Sequence, residues 1–408
     1  MKTWSPRPRP EWGTEMNRVA ANAGDPAYAV ALDEDSLFEA ARSATGLDDF
    51  GDDGWRGPFG LLLEGLNTTA RLHAVGRLLT RTDIVRSLVN RLEMTDAFAR
   101  QPALLDAPVD APIFVTGLAR SGTSILHELL AQDPALRAPL TWELLYPRAD
   151  AEPGDRPARA DADVTFWNLV TPEYQTMHEN RGDAPNECIL GTMSAFAADY
   201  WSGGHDVPEY ARWLARSDMS LSYGFHRRLL QLLQGATPDP WVLKAPSHLS
   251  SLTGLFAEYP DARVVITHRD PLRVLGSLVD LLVTLRWQRS DHVDYERIVR
   301  TNVKAYPYVL GAMIDQRESG AIPASQIVDV QYQDLVRDPW KTLHGAYDRL
   351  GLEFTTAAET RMRAYLAEKP KDRHGVHQYT FADLGVDHDE TRAAFARYQQ
   401  HFDVPDEQ

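Results

Sequence analysis

The sequence predicts an α/β fold, a central parallel sheet covered by helices. Two observations carry this. Four short apolar runs, at 113–116, 241–243, 262–267 and 327–330, are bounded by turn residues, and each leads into a stretch of helical character. Between the first and second runs lie about a hundred residues with no clear strand, an insertion of a length that commonly builds a pocket beside strand ends.

Residues 1 to about 108 read as a helical extension. Their clearest helix spans 83–100, where Ile84, Leu88 and Leu92 fall four apart and Val85 and Val89 widen the stripe. Asp83 is placed to cap its start and Pro102 to stop it. Residues 109–408 form the main domain, with the insertion at about 148–238. The Ala-, Asp-, Pro- and Arg-rich stretch 149–163 reads as a solvent-exposed loop. The insertion is rich in aromatic residues, among them Trp167, Tyr174, Tyr200, Trp201 and Tyr210. These either line a substrate pocket or form the insertion's own core.

At 43% hydrophobic and 25% charged residues over 408 positions, the chain has the composition of a globular protein. Lys and Arg total 42 against 58 Asp and Glu, a formal charge of −16. Such a surface repels nucleic acid, anionic membranes and polyanionic sugars, so an anionic ligand requires a local basic pocket. The single cysteine, Cys188, excludes an internal disulfide and a multi-cysteine zinc site, and fits a cytoplasmic location. The proline-rich N-terminus has no apolar segment behind it, and no run approaches about eighteen apolar residues. Neither export by a signal peptide nor a membrane span is expected.

After the first apolar run comes Gly117-Leu118-Ala119-Arg120-Ser121-Gly122-Thr123-Ser124. This nearly matches the phosphate-binding pattern G-x-x-x-x-G-K-[ST], with Thr123 at the lysine position. Glycines let backbone amides point inward, and the following helix N-terminus favours an anion. Arg120 supplies a cation from inside the loop, and Ser121, Gly122, Thr123 and Ser124 add donors. Loss of the usual lysine argues against an ordinary ATPase or kinase.

The third run ends in Thr267-His268-Arg269-Asp270-Pro271, and Pro271 suits the first turn of a helix. Ser277 follows Arg269 by eight residues, about two helical turns. An arginine at a strand end and a hydroxyl on the next helix can grip one phosphate from two directions, making a second anion site.

These segments resemble the PAPS-dependent sulfotransferases (PAPS, 3′-phosphoadenosine-5′-phosphosulfate). The loop 117–124 resembles their 5′-phosphosulfate loop, in the arginine-bearing form of the broad bacterial branch and the tyrosylprotein sulfotransferases. Arg269 and Ser277 resemble their 3′-phosphate motif. Trp241-Val242-Leu243-Lys244-Ala245-Pro246-Ser247-His248 resembles the strand that ends in their catalytic lysine. Residues 330–339 resemble a late R-Y-E-D-L segment, with Gln331 for Arg, Gln333 for Glu and Tyr332 retained. The resemblance spans about 109–385 and comprises four ordered motifs.

It implies a P-loop-like three-layer fold with PAPS as donor and PAP as product. Arg120 and the loop amides would hold the 5′-phosphosulfate, and Lys244 would neutralise charge on the bridging oxygen. Arg269, Ser277 and Tyr332 would bind the 3′-phosphate, with Arg373 in 371–375 as a further contact. The acceptor would be a small, apolar or aromatic hydroxyl compound.

Sulfonyl transfer needs in-line geometry and stabilisation of charge on the leaving oxygen. Arg and Lys can supply what magnesium gives a kinase, so no metal is expected. The acceptor hydroxyl needs a general base. Glu143 stands near the place of the glutamate base in the tyrosylprotein branch, displaced by two residues. His248 lies two residues beyond the place of the histidine base in the cytosolic branch. Glu187 and His127 are further options. Two other functions stay open: a divergent P-loop kinase, and a non-catalytic nucleotide-binding protein.

Overall fold

The computed structural model of the protein describes residues 4–148, 154–177, 180–235, 240–369 and 381–407. Its sheet is built from the four predicted runs: β1 (Ile113–Gly117), β2 (Val242–Lys244), β3 (Arg263–His268) and β4 (Ile327–Gln331). All pairings are parallel, in the order β2-β1-β3-β4. The runs are short and mostly apolar because both sheet faces are covered, with Arg263 and Asp329 only partly buried. Phe114, Leu243, Val264 and Ile266 face a layer that includes the helices Leu252–Glu258, Pro271–Trp287 and Tyr295–Glu318. Their neighbours Val115, Val242 and Val265 point the other way, onto the helices Thr123–Leu130, Pro339–Leu350 and Thr356–Glu368. Alternation along each strand thus produces three layers.

The order carries a consequence for ligand binding. From β1 the chain crosses to β2 on one side, and from β3 to β4 on the other. A crevice therefore opens at the C-terminal ends of β1 and β3, where ligands bind in open parallel sheets. The glycine loop leaves β1 there, and Arg269 follows β3.

Two expectations need correction. The helix expected over 83–100 runs over Ala74–Arg100, with the His73 ring accepting from the Gly76 amide as its cap. Asp83 lies inside that helix, buried and paired with Arg86. The apolar stripe hid the earlier start because residues 74–82 carry polar and glycine positions that pack internally. The stretch expected as a loop over 149–163 is, from residue 156, the start of the helix Arg156–Val170. Arg156 is buried there, its guanidinium 4.8 Å from the Trp142 ring.

Between β1 and β2 the described residues are helical and irregular, without a strand. Part of this insertion shares a core with the N-terminal helices: Trp55 and Phe59 pack on Phe196, with ring centroids at 5.3 and 4.7 Å. Phe196 in turn stacks on Trp201. Other aromatic residues of the insertion, Trp167, Tyr174 and Tyr200, line a cavity. The aromatic residues of the insertion thus divide between a cavity wall and a core shared with the N-terminal helices.

Candidate active site

The loop after β1 is shaped by close approach. A Cβ on Gly117 (φ +149°) would stand 2.4 Å from Thr267 Oγ1, and one on Gly122 (φ +92°) 2.7 Å from the Tyr332 ring. Arg120 also adopts a left-handed conformation (φ 68°), which costs a non-glycine residue energy and aims its side chain across the crevice. Its Nε donates to Ser277 Oγ at 3.1 Å, and Nη1 donates to the Met177 carbonyl. The two anion motifs read from the sequence are thus in contact.

The loop's donors divide. Ser121 turns inward: its amide donates to the Leu118 carbonyl at 3.1 Å, and its hydroxyl lies 2.5 Å from that carbonyl and 2.6 Å from Thr267 Oγ1. It is fully buried and braces the loop against β3. Gly122, Thr123 and Ser124 line the cavity. Thr123 and Ser124 begin the helix Thr123–Leu130, where first-turn amides have no intrahelical acceptor. Free amides at a helix N-terminus are a favourable place for an anion.

At the end of β2, Lys244 is almost wholly buried. Its Nζ donates to the Glu187 carboxylate and, at 3.1 Å, to Ser124 Oγ. Beyond β3, Arg269 Nη1 donates to the Arg120 carbonyl at 2.9 Å, and the guanidinium lies 4.0 Å from the Tyr332 ring centroid. Ser277 is buried in the helix Pro271–Trp287. Arg120, Ser124, Lys244, Arg269, Ser277 and Tyr332 are therefore gathered at the C-terminal edge of the sheet. Arg373 lies outside the described residues.

The two first-choice bases are engaged elsewhere. Glu143 is at the third position of the short helix Thr141–Leu145. One of its oxygens accepts from Arg137 Nη2 at 2.6 Å, the other from the Leu140 amide at 2.8 Å. That is a helix cap with an ion pair, and Glu143 is not part of the cavity wall. His248 packs edge-on against Phe114 at 5.0 Å, with Nδ1 2.9 Å from the Tyr223 hydroxyl. Burial, then the neighbouring His226, pulls its pKa down to about 3. His127 is equally buried, held down to about 3 by burial and then by Lys244. Glu187 does line the cavity. Nothing in its Asn-Glu-Cys context or its 57-residue separation from Lys244 marked it as a partner of that lysine. Asn186, also in the wall, was likewise unmarked, whereas Tyr174 is one of the aromatic residues the insertion's composition singled out.

The cavity encloses about 760 Å³. Leu118, Ile189, Leu278, Leu282, Phe166 and Trp167 supply an apolar wall. The wall also holds Asp83, Arg86 and Asp163, an ion-pair cluster joined by Tyr146 and Tyr200. Burial raises the Asp199 carboxyl above its ordinary range, against a hydrogen bond from Ser247. Among the described residues no group of three or more His, Cys, Asp or Glu is placed to hold a metal ion. No helix there is long and apolar enough to cross a membrane.

Comparison with known proteins agrees with this arrangement. The structure superposes on the mycobacterial sulfotransferase STF1 from Mycobacterium tuberculosis H37Rv with a TM-score of 0.78 at 31% identity, over 90% of this chain and 99% of that one. Sulfotransferase STF9 from Mycobacterium avium gives 0.79 at 29% identity, over 91% and 97%. The omega-hydroxy-beta-dihydromenaquinone-9 sulfotransferase Stf3 of Mycobacterium bovis is 24% identical over 288 residues, 68% of this chain and 72% of the relative. Residues 112–356, which hold every motif described above, match the model of the sulfotransferase family. The chain belongs to that family and is a sulfotransferase.

Proposed function

We propose that the enzyme transfers the sulfonate of PAPS to the hydroxyl of an apolar or aromatic alcohol bound in the cavity. The observation that carries this reading is the placement of Lys244 between Ser124 of the glycine loop and Glu187 of the cavity wall. The lysine stands where an anion held by the loop meets an acceptor held by the wall.

The donor fits the residues present. The glycine cradle and Arg120 suit the 5′-phosphosulfate. Arg269, Ser277 and the Tyr332 ring lie across the β1–β3 crevice, as a second phosphate on the same nucleotide requires. PAPS supplies the sulfonate and a good leaving group. The chain supplies position and charge. Arg120 and the amides of Thr123 and Ser124 orient the sulfonate for in-line attack. Lys244 donates to the bridging oxygen as the sulfur–oxygen bond to the phosphate breaks. Glu187 accepts the proton of the acceptor hydroxyl as the new oxygen–sulfur bond forms. In place of Glu143 and His248, Glu187 is thus the base in this reading. Its carboxylate lines the cavity, while the Glu143 carboxylate is committed to a helix cap and the His248 ring to the core.

The apolar wall indicates the acceptor class. A relative named for an omega-hydroxy dihydromenaquinone is consistent with a long apolar alcohol rather than a sugar. Incubation with PAPS or ATP and a series of apolar alcohols, phenols and sugar alcohols, read by product mass and PAP release, tests the proposal. Sulfonated apolar alcohols are expected from PAPS alone. Phosphorylated product from ATP, or turnover of sugar alcohols only, would refute it.

A further inference from the structure

Arg269 does not present an open guanidinium edge. Its Nε donates to Glu407 Oε1 at 3.0 Å and to Oε2 at 3.2 Å, and Nη2 donates to Oε2 at 2.9 Å. This is the two-pronged geometry by which an arginine grips a carboxylate or a phosphate. Both side chains are largely shielded, at 16% and 14% exposure. The opposite edge, Nη1, is committed to the Arg120 carbonyl, and the guanidinium lies close to the Tyr332 ring. A phosphate approaching Arg269 therefore meets the edge that Glu407 already uses.

The segment carrying Glu407 is seated by specific contacts. The Val404 amide donates to the Gln399 carbonyl at 2.9 Å, and Val404 is buried. Asp406 is held by Arg392 at 2.9 Å and by Gln399 Nε2 at 2.8 Å. The Glu407 amide donates to Asp270 Oδ2 at 2.8 Å. Asp270 is the buried cap of the helix that carries Ser277, accepting from the Leu272 amide at 2.9 Å. Glu407 thus meets Arg269 through its carboxylate and Asp270 through its amide, while Val404 and Asp406 are held by Gln399 and Arg392.

We infer that Glu407 is an internal occupant of the second anion site, its carboxylate standing where the 3′-phosphate of the donor would bind. The donor must then displace Glu407 from Arg269, and the anchored segment returns it when the nucleotide leaves. The inference rests on the donor reading above. It makes the observed affinity for a 3′-phosphate the intrinsic affinity scaled by the fraction of molecules in which Glu407 is undocked.

The test is calorimetric binding of PAP to the full chain, to Glu407→Gln and to Asp403→Asn. Asp403 is exposed in the same segment, so its variant removes the same charge without touching Arg269. If the carboxylate is docked in roughly nine molecules of ten, Glu407→Gln tightens PAP binding about tenfold, while Asp403→Asn changes it little. Hydrogen exchange of the Glu407 amide should also speed up on saturation with PAP, as its bond to Asp270 is lost. Unchanged or weaker PAP binding by Glu407→Gln, beside normal binding by the parent, would overturn the inference and leave the donor reading intact. So would an equal gain in Asp403→Asn, or an amide that stays protected under PAP. Absence of PAP binding in parent and variant alike would overturn the donor reading and this inference with it.

Discussion

Lys244 stands between two oxygens: it donates to the Glu187 carboxylate and, at 3.1 Å, to the hydroxyl of Ser124. The first ties it to the cavity wall, the second to the glycine loop. A nearly buried ammonium held this way is positioned before any ligand arrives, so little reorganisation is needed as charge develops.

Lys244→Ala should accordingly lower kcat by about 10²–10³ and weaken donor binding far less. In the proposed reaction the cation matters most as the bond to the bridging oxygen breaks. Single-turnover kinetics beside a donor Kd separate the two effects. A near-normal kcat in the folded variant would take Lys244 out of the reaction.

The two glutamates should part company. Glu187→Gln keeps the shape but cannot take the acceptor proton, and kcat should fall by about 10²–10⁴. Glu143→Gln removes a charge that caps a helix and pairs with Arg137. It should cost about 1–3 kcal/mol of stability and change kcat less than about twofold. Denaturation and kinetics on both variants decide the matter. A large kcat loss confined to Glu143→Gln would restore that residue as the base.

What could be read from the sequence was local. The strands announced themselves because a two-sided parallel sheet demands short, mostly apolar runs, such as Val264-Val265-Ile266 within 262–267. The loop at 117–124 and the Arg269–Ser277 spacing were legible because one strand-to-helix turn fixes each motif. The partners of these motifs were not. Glu187 meets Lys244, and Arg120 meets Ser277, only through the packing of the insertion and the strand order. Glu143 and His248 drew notice by position relative to the motifs, yet a capping contact and a core ring packing absorb them. Asp83 read as a cap because its helix buries polar side chains before it, a pattern that apolar periodicity cannot register.

Activity should persist in excess EDTA, because the proposed reaction draws from Arg120 and Lys244 the positive charge that a kinase draws from magnesium. Sulfonate transfer assayed with and without chelator checks this. Complete loss on chelation, restored by magnesium, would contradict it.

PAP should raise the melting temperature through linkage to the native state. The double variant Arg269→Ala, Ser277→Ala should lose most of that shift, since it removes the guanidinium over Tyr332 and the hydroxyl beside Arg120. Differential scanning fluorimetry at fixed PAP suffices. A full shift in the double variant would place the 3′-phosphate elsewhere.

The last prediction concerns acid. Burial is the leading cause that pulls His73 down to about 4, and His127, His226 and His248 to about 3, all below the ordinary 6.5. His205 is depressed by burial in the same direction. These rings stay neutral in the folded chain over a range in which the unfolded chain protonates them. The unfolded state therefore binds more protons, and stability rises with pH across that range. The contribution is present in full above about pH 6.5 and is lost progressively as pH falls toward 3–4. Each ring can contribute up to about 1.4 kcal/mol per pH unit. Asp199, with its carboxyl raised by burial, opposes this as a single group. The melting temperature should thus fall steeply between about pH 7 and pH 5, above the ordinary carboxylate range. Thermal melts in constant-ionic-strength buffers measure it directly. A flat or rising curve over that interval would mean that these histidines gain protons without unfolding, and that the core around Phe114 and His248 admits charge.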